Sequence, residues 1–164
     1  MFERSEDISG EGRVRGGLSL TRLASLADLS RERGEVRERT MKQIISTDDA
    51  PKPWAGYSQA VKAAGLVFVS GTAPMDVDGN VVGATTQEQT AQCLKNVSAI
   101  LKAAGSSLGK VVSATVILAE EADFAAMNEE WAKWFPHDPP ARQGARLPVR
   151  PKNILLTVAV IAEA

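Results

Sequence analysis

An α+β fold is predicted, a mixed β-sheet with two helices packed on one face, and three observations carry it. Short runs rich in β-branched and apolar residues recur at Gln43–Thr47, Leu66–Ser70, Val111–Leu118 and Ile154–Ile161. Between them, two segments repeat apolar residues at steps of three and four, as one face of a helix does. Prolines, glycines and a capping signal separate these stretches. The resulting order is strands, helix, strand, helix, strands.

Each element has a local reason. Gln43–Thr47 is a short β-rich run broken by Pro51 and Pro53. Leu66-Val67-Phe68-Val69-Ser70 is continuously apolar and reads as a buried strand, ending at Gly71 and Pro74. Asp78-Gly79 between Val77 and Val81 signals a hairpin. A calcium loop over Asp76, Asp78 and Asn80 is excluded, because the closing position is Gln87 rather than glutamate. Thr85-Thr86-Gln87-Glu88 fits a capping box, and Leu94, Val97, Leu101 and Ala104 continue behind it until Gly105. Val111–Leu118 reads as a strand. Asp123 then opens a second helix with Phe124, Met127, Trp131 and Phe135 on one arc. Asn128 falls within that arc, and a polar side chain facing inward needs a partner. Pro136-His137-Asp138-Pro139-Pro140 is a rigid loop with His137 at the surface, and Ile154–Ile161 is almost wholly apolar and reads as a central strand.

Composition narrows the function. The 164 residues carry 19 Lys+Arg against 20 Asp+Glu, a net charge of -1, so no basic field favours nucleic acid or a membrane surface. No apolar run approaches the roughly 18 residues of a membrane helix. One cysteine, Cys93, excludes an internal disulfide and reads as a packed small hydrophobe; with His137 as the one histidine, no metal site is expected. A reducing cytoplasm, no nucleic-acid or membrane partner and no cofactor are therefore the expectations.

The basic residues are unevenly spread. Met1–Thr40 holds eight arginines, no lysine and eight acidic residues, with one modest apolar patch at Leu18–Leu29. Its early acids, Glu3, Glu6, Asp7 and Glu11, argue against a targeting signal. Residues 1–40 are expected to be a weakly structured arginine-rich extension, either a native tail or a segment upstream of a true start at Met41. Residues 41–164 are expected to form the domain. There the three arginines, Arg142, Arg146 and Arg150, lie within nine positions while every other cation is lysine. Arginine suits a planar carboxylate gripped by two parallel hydrogen bonds, and Pro139-Pro140-Ala141 gives Arg142 a stiff entry.

From Ile44 to Ala162 the chain resembles the YjgF/RidA family of reactive-intermediate (enamine/imine) deaminases. The matching stretches include Gly56-Tyr57-Ser58-Gln59, Leu66–Gly71, Leu94-Lys95-Asn96, Ala103–Leu108, Asp123–Asn128 and Pro140-Ala141-Arg142. The resemblance implies a chorismate-mutase-like fold and a homotrimer whose sheets close around a central barrel, with a cleft at each subunit interface. It implies hydrolysis of 2-iminobutanoate or 2-iminopropanoate to a 2-oxo acid and ammonia, without metal or cofactor. By the same resemblance Arg142 binds the substrate carboxylate, and Tyr57, Ser70 and Asn128 orient substrate and water.

Two positions depart from the family pattern. Gly144 stands where a cysteine is usual, which contributes mainly its backbone. Thr157 stands where a water-activating glutamate is usual, and a threonine hydroxyl is a poor base near neutral pH. Arg146 also reverses the usual charge of its position. The alternative expectation is therefore a trimer that binds small carboxylates without turnover or with altered specificity. A ribonuclease is not expected, because the sequence offers neither net positive charge nor interleaved aromatic and basic residues.

Overall fold

The structure, a computed structural model, describes Arg31 and residues 41–54, 56–146 and 153–164. The expected extension over 1–40 lies outside the described residues, apart from Arg31, as does Arg150. Six strands form one mixed sheet: β1 (Gln43–Ile45), β2 (Ala60–Ala63), β3 (Leu66–Thr72), β4 (Val111–Leu118), β5 (Ala141–Arg146) and β6 (Leu156–Glu163), in the order β1-β2-β3-β6-β4-β5. All neighbours are antiparallel except β4 and β5, which are parallel. Among the described residues, two longer helices, α1 (Thr86–Ala103) and α2 (Phe124–Trp134), accompany the sheet, with short 3-10 turns at Leu108–Lys110 and Glu121–Asp123. The predicted α+β class and the central position of the last strand both hold.

The cap of α1 forms as the sequence implies. Glu88 N–H donates to the Thr85 hydroxyl at 3.3 Å, and the Glu88 carboxylate accepts from the backbone of Ala84 and Thr85 at 2.8 and 3.1 Å. These donors hold the Glu88 carboxyl below its ordinary pKa. At the other end Gly105 takes φ 79°, and Ser106 N–H closes onto the Leu101 carbonyl at 2.8 Å. Between the caps, Cys93, Leu94, Val97, Ile100 and Leu101 are buried against the sheet. Each contributes on the order of 1.5–3 kcal/mol by leaving water. Burial also pushes the Cys93 thiol far up, so it stays protonated and inert.

Alternation along the strands shows which face the helices cover. On β6, Leu156, Val158, Val160 and Ala162 are buried while Thr157, Ala159 and Ile161 are half-buried. On β3, Val67 and Val69 are buried, but Phe68 is 42% exposed. Leu66–Ser70 was expected to be a buried strand, and this is corrected for the Phe68 side of it. The helices cover one face only, leaving an apolar surface on the other.

Two strands had no clear pattern. β2 is only Ala60-Val61-Lys62-Ala63, recruited by pairing with β3 through a two-residue turn with positive φ at Ala64 (52°) and Gly65 (76°). The Asp78-Gly79 turn also forms, with Met75 bridged to Val81 and Asp76 accepting from Asp78 and Asn80. β5 is exposed at every position and is held by its register beside β4. Phe124, read as core, is 48% exposed, because the helix begins beyond the edge of the covered surface.

Candidate functional site

Parallel pairing with β4 sets the direction of every β5 side chain. Arg142, Gly144 and Arg146 pair with Ala114, Val116 and Leu118, three residues buried under the helices. All three therefore lie on the helix-bearing face. Arg142 turns toward α2: its guanidinium lies 4.9 Å from the ring centre of Trp131, and one of its amino groups donates to Asn128 Oδ1. Met127 Sδ stands 3.5 Å from the other. The Trp131 ring is itself stacked on Phe135 at 4.7 Å, so the platform under the cation is rigid. Partial burial there depresses the Arg142 pKa from its ordinary high value, since desolvation disfavours the charged form. A guanidinium has five N–H donors in a fixed fork. Asn128 accepts from one terminal nitrogen, leaving donors for a planar anion. The inward asparagine thus has its partner in Arg142.

Thr157 belongs to the opposite face. It pairs with Ile117 on β4 and alternates with the buried Leu156 and Val158, so its hydroxyl points away from the helices. Tyr57 shares a small cavity of about 110 Å³ with Thr157, Trp54, Thr72, Met75 and Ile154. The Tyr57 ring is 49% exposed. The structure thus separates the expected site residues within one chain: Arg142, Asn128 and Gly144 lie on one face and Thr157 on the other, with Tyr57 in a loop beside the Thr157 cavity.

Ser70 Oγ donates to the Ser58 carbonyl at 2.7 Å, across the β2–β3 pairing. Its hydroxyl hydrogen is committed to holding the segment that carries Tyr57, while its oxygen can still accept. His137 is exposed in its loop, as expected. Among the described residues no group of three or more His, Cys, Asp or Glu side chains could hold a metal ion. Nor, among them, is any helix long and apolar enough to cross a membrane.

Sequence reasoning missed three buried amides that shape the site. Gln59 donates to the carbonyls of Thr47, Ala50 and Pro51 at 3.0–3.2 Å and accepts from Thr47 N–H at 2.7 Å, fixing the loop that walls the Tyr57 cavity. Asn96 donates to Ala73 and Met75 on another side of that cavity. Gln89 joins α1 to the approach of β6 through the Asn153 carbonyl and Leu155 N–H, at 2.7 and 2.8 Å. For Gln89 and Asn96, a polar side chain in an otherwise apolar helical face was the available signal; Gln59, in a loop, offered none. Near the far end of β5, Arg146 pairs with Glu120 at 3.2 Å, both well exposed.

Comparison with known proteins bears on the whole domain. The sequence profile of the family described as endoribonuclease L-PSP matches residues 47–164. A RutC family protein of Pyrococcus horikoshii is 43% identical over 123 residues, covering 74% of this chain and 98% of its own. Reactive Intermediate Deaminase A, chloroplastic, of Arabidopsis thaliana is 39% identical over 151 residues, covering 89% of this chain and 79% of its own. Among solved structures, yeast Mmf1 superposes with a TM-score of 0.72 at 37% identity, covering 75% of this chain and 98% of that one. TdcF of E. coli, solved with bound serine, gives 0.70 at 33% identity, covering 74% and 98%. With its mixed sheet, its two helices on one face and its Pro-Ala-Arg edge strand, the chain belongs to the YjgF/RidA, or endoribonuclease L-PSP, family.

Proposed function

We propose that this protein hydrolyses 2-imino acids, the tautomers of reactive 2-enamines such as 2-aminocrotonate, to 2-oxo acids and ammonia, at sites formed between subunits of a homotrimer. The observation that carries the reading is Arg142, a guanidinium seated on Trp131 and oriented by Asn128, with donors left for a carboxylate. Its conjugate is the small acid itself. That TdcF was solved with serine, another α-carboxylate, supports the same ligand class.

The partition of the site residues supports assembly. Arg142 and Thr157 point to opposite faces of one sheet, so a single copy does not surround a small substrate with both. A neighbouring copy that covers the apolar face would bring its Tyr57 and Thr157 to the Arg142 edge. Such a cover also removes Phe68 and Ile161 from water, in line with the hydrophobic cost of leaving them exposed.

The chemistry asks little of the protein. The carbon of a protonated imine is already electrophilic. Water adds to it, a proton moves from that oxygen to the nitrogen, and the C–N bond breaks as the remaining O–H proton passes to the departing ammonia, leaving a 2-oxo acid and ammonium. Arg142 fixes the carboxylate and so orients the neighbouring carbon, which supplies positioning rather than proton transfer. Tyr57 and Thr157 offer neutral hydrogen bonds to the attacking water. With Thr157 in place of a carboxylate, water activation is weak, and turnover is expected to be slower than with a glutamate there.

The test is release of 2-oxobutanoate from dehydratase-generated 2-iminobutanoate. The protein is expected to accelerate it, and Arg142→Ala to abolish the acceleration; equal rates with and without the protein would overturn the reading. A second reading, a carboxylate-binding trimer without turnover, draws on Thr157. It predicts Arg142-dependent thermal stabilisation by 2-oxobutanoate with no change in imine lifetime.

A further inference from the structure

A larger cavity opens next to Gly144, about 590 Å³, on the helix-bearing face. Its floor is Leu118 from β4 with Ala122 from the 3-10 turn and Phe124 and Ala125 from the start of α2, and Glu121 and Arg146 stand at its rim. The size is within the roughly 300–1,000 Å³ common for small-molecule sites and far exceeds what a two-carbon side chain fills.

Gly144 is the hinge of the argument. Its φ is not positive, and an added Cβ would meet only the Val116 carbonyl oxygen, at 3.8 Å, an ordinary contact. Neither the backbone nor the packing of one chain calls for glycine there. What glycine leaves is open space beside Arg142, one same-face position or roughly 6–7 Å away along the strand. An acid held by Arg142 can extend across Gly144 onto the apolar floor. The rim does not favour a second carboxylate: Glu120 already neutralises Arg146 at 3.2 Å, and Glu121 adds a negative charge.

We infer that this cavity receives the substrate's side chain and selects 2-imino acids with branched or aromatic apolar side chains over those with an ethyl group. The inference rests on the carboxylate role of Arg142 proposed above and adds the substrate class. Phe124, otherwise an apolar ring 48% exposed at the surface, then has an occupant to pack against.

Calorimetric titration of the full-length protein with 2-oxobutanoate, 4-methyl-2-oxopentanoate and 2-oxoglutarate, the stable products of such imines, decides it. The branched acid is expected to bind about tenfold tighter than 2-oxobutanoate, a difference of two apolar carbons laid on the apolar floor. Ala125→Leu fills that floor from an exposed helix position. It should weaken the branched acid about tenfold or more and so abolish its advantage over 2-oxobutanoate. Equal affinity for the two monocarboxylates, or tighter binding of 2-oxoglutarate, overturns the inference. So does an Ala125→Leu protein of altered oligomeric mass, which would assign the floor to a neighbouring copy. If none of the acids binds, the inference and the carboxylate reading fall together. If the preference holds while imine lifetime is unchanged, only the deaminase reading fails.

Discussion

On the helix side of the sheet, Val67, Val116, Leu156 and Val158 are sealed from water under Leu94, Leu101 and Met127. On the other side Phe68, Ile117, Ala159 and Ile161 are as apolar but only half covered or exposed. The covered face is complete within one chain: among the described residues, no buried side-chain nitrogen or oxygen lacks a hydrogen-bond partner. The difference teaches where each property resides. Stability of the chain comes from the covered face, and the uncovered one is the surface that the proposed trimer would bury. The expected site residues are divided between the two.

Substitutions can break this comparison. The largest effect is expected on assembly from Ile161→Asp, which puts a charge on the uncovered face. The mass by light scattering should fall by a factor of about three, from trimer to monomer. The far-UV circular dichroism should stay unchanged. Loss of secondary structure instead would place Ile161 in the core of the chain. On the covered face Leu94→Ala should cost about 3 kcal/mol, read as a fall in Tm of roughly 10 °C. Gln89→Leu leaves the Gly83 and Asn153 carbonyls and Leu155 N–H without their side-chain partner. It should cost about 2 kcal/mol in urea unfolding, because the lost partners are partly buried.

The smallest effect is the pH dependence at the α1 cap. Glu88 has a depressed pKa in the folded state, so its contribution is fully present above the usual carboxylate value of 4.5 and is lost as pH falls through the lower folded value. Glu88→Gln should flatten the fall in Tm below pH 4.5 and leave the slope near neutrality unchanged.

Much of the covered face was legible in sequence. The Thr85–Glu88 cap, the Leu94-Val97-Leu101 repeat and the Gly105 stop are local signals, and each forms as read. β2 and β5 were not, because Ala60–Ala63 and the charged Ala141–Arg146 become strands through pairing partners distant in sequence. For the site, the inward angle of Asn128 followed from helical periodicity and Arg142 stood out by its chemistry, but the contact between them was not legible. The division of Arg142 and Thr157 between faces was hidden, since it depends on the register of β4 with β5 and β6. A one-residue shift in that register would exchange the faces.

The central claim is that the arginine of one copy works with the tyrosine and threonine of another. The direct measurement mixes Arg142→Ala and Tyr57→Ala chains by co-expression and assays 2-imino acid hydrolysis, each variant alone being inactive. Sites that take Arg142 and Tyr57 from different subunits should recover about a quarter of wild-type activity in a random equal mixture. Mixed assemblies as inactive as either parent would contradict the account.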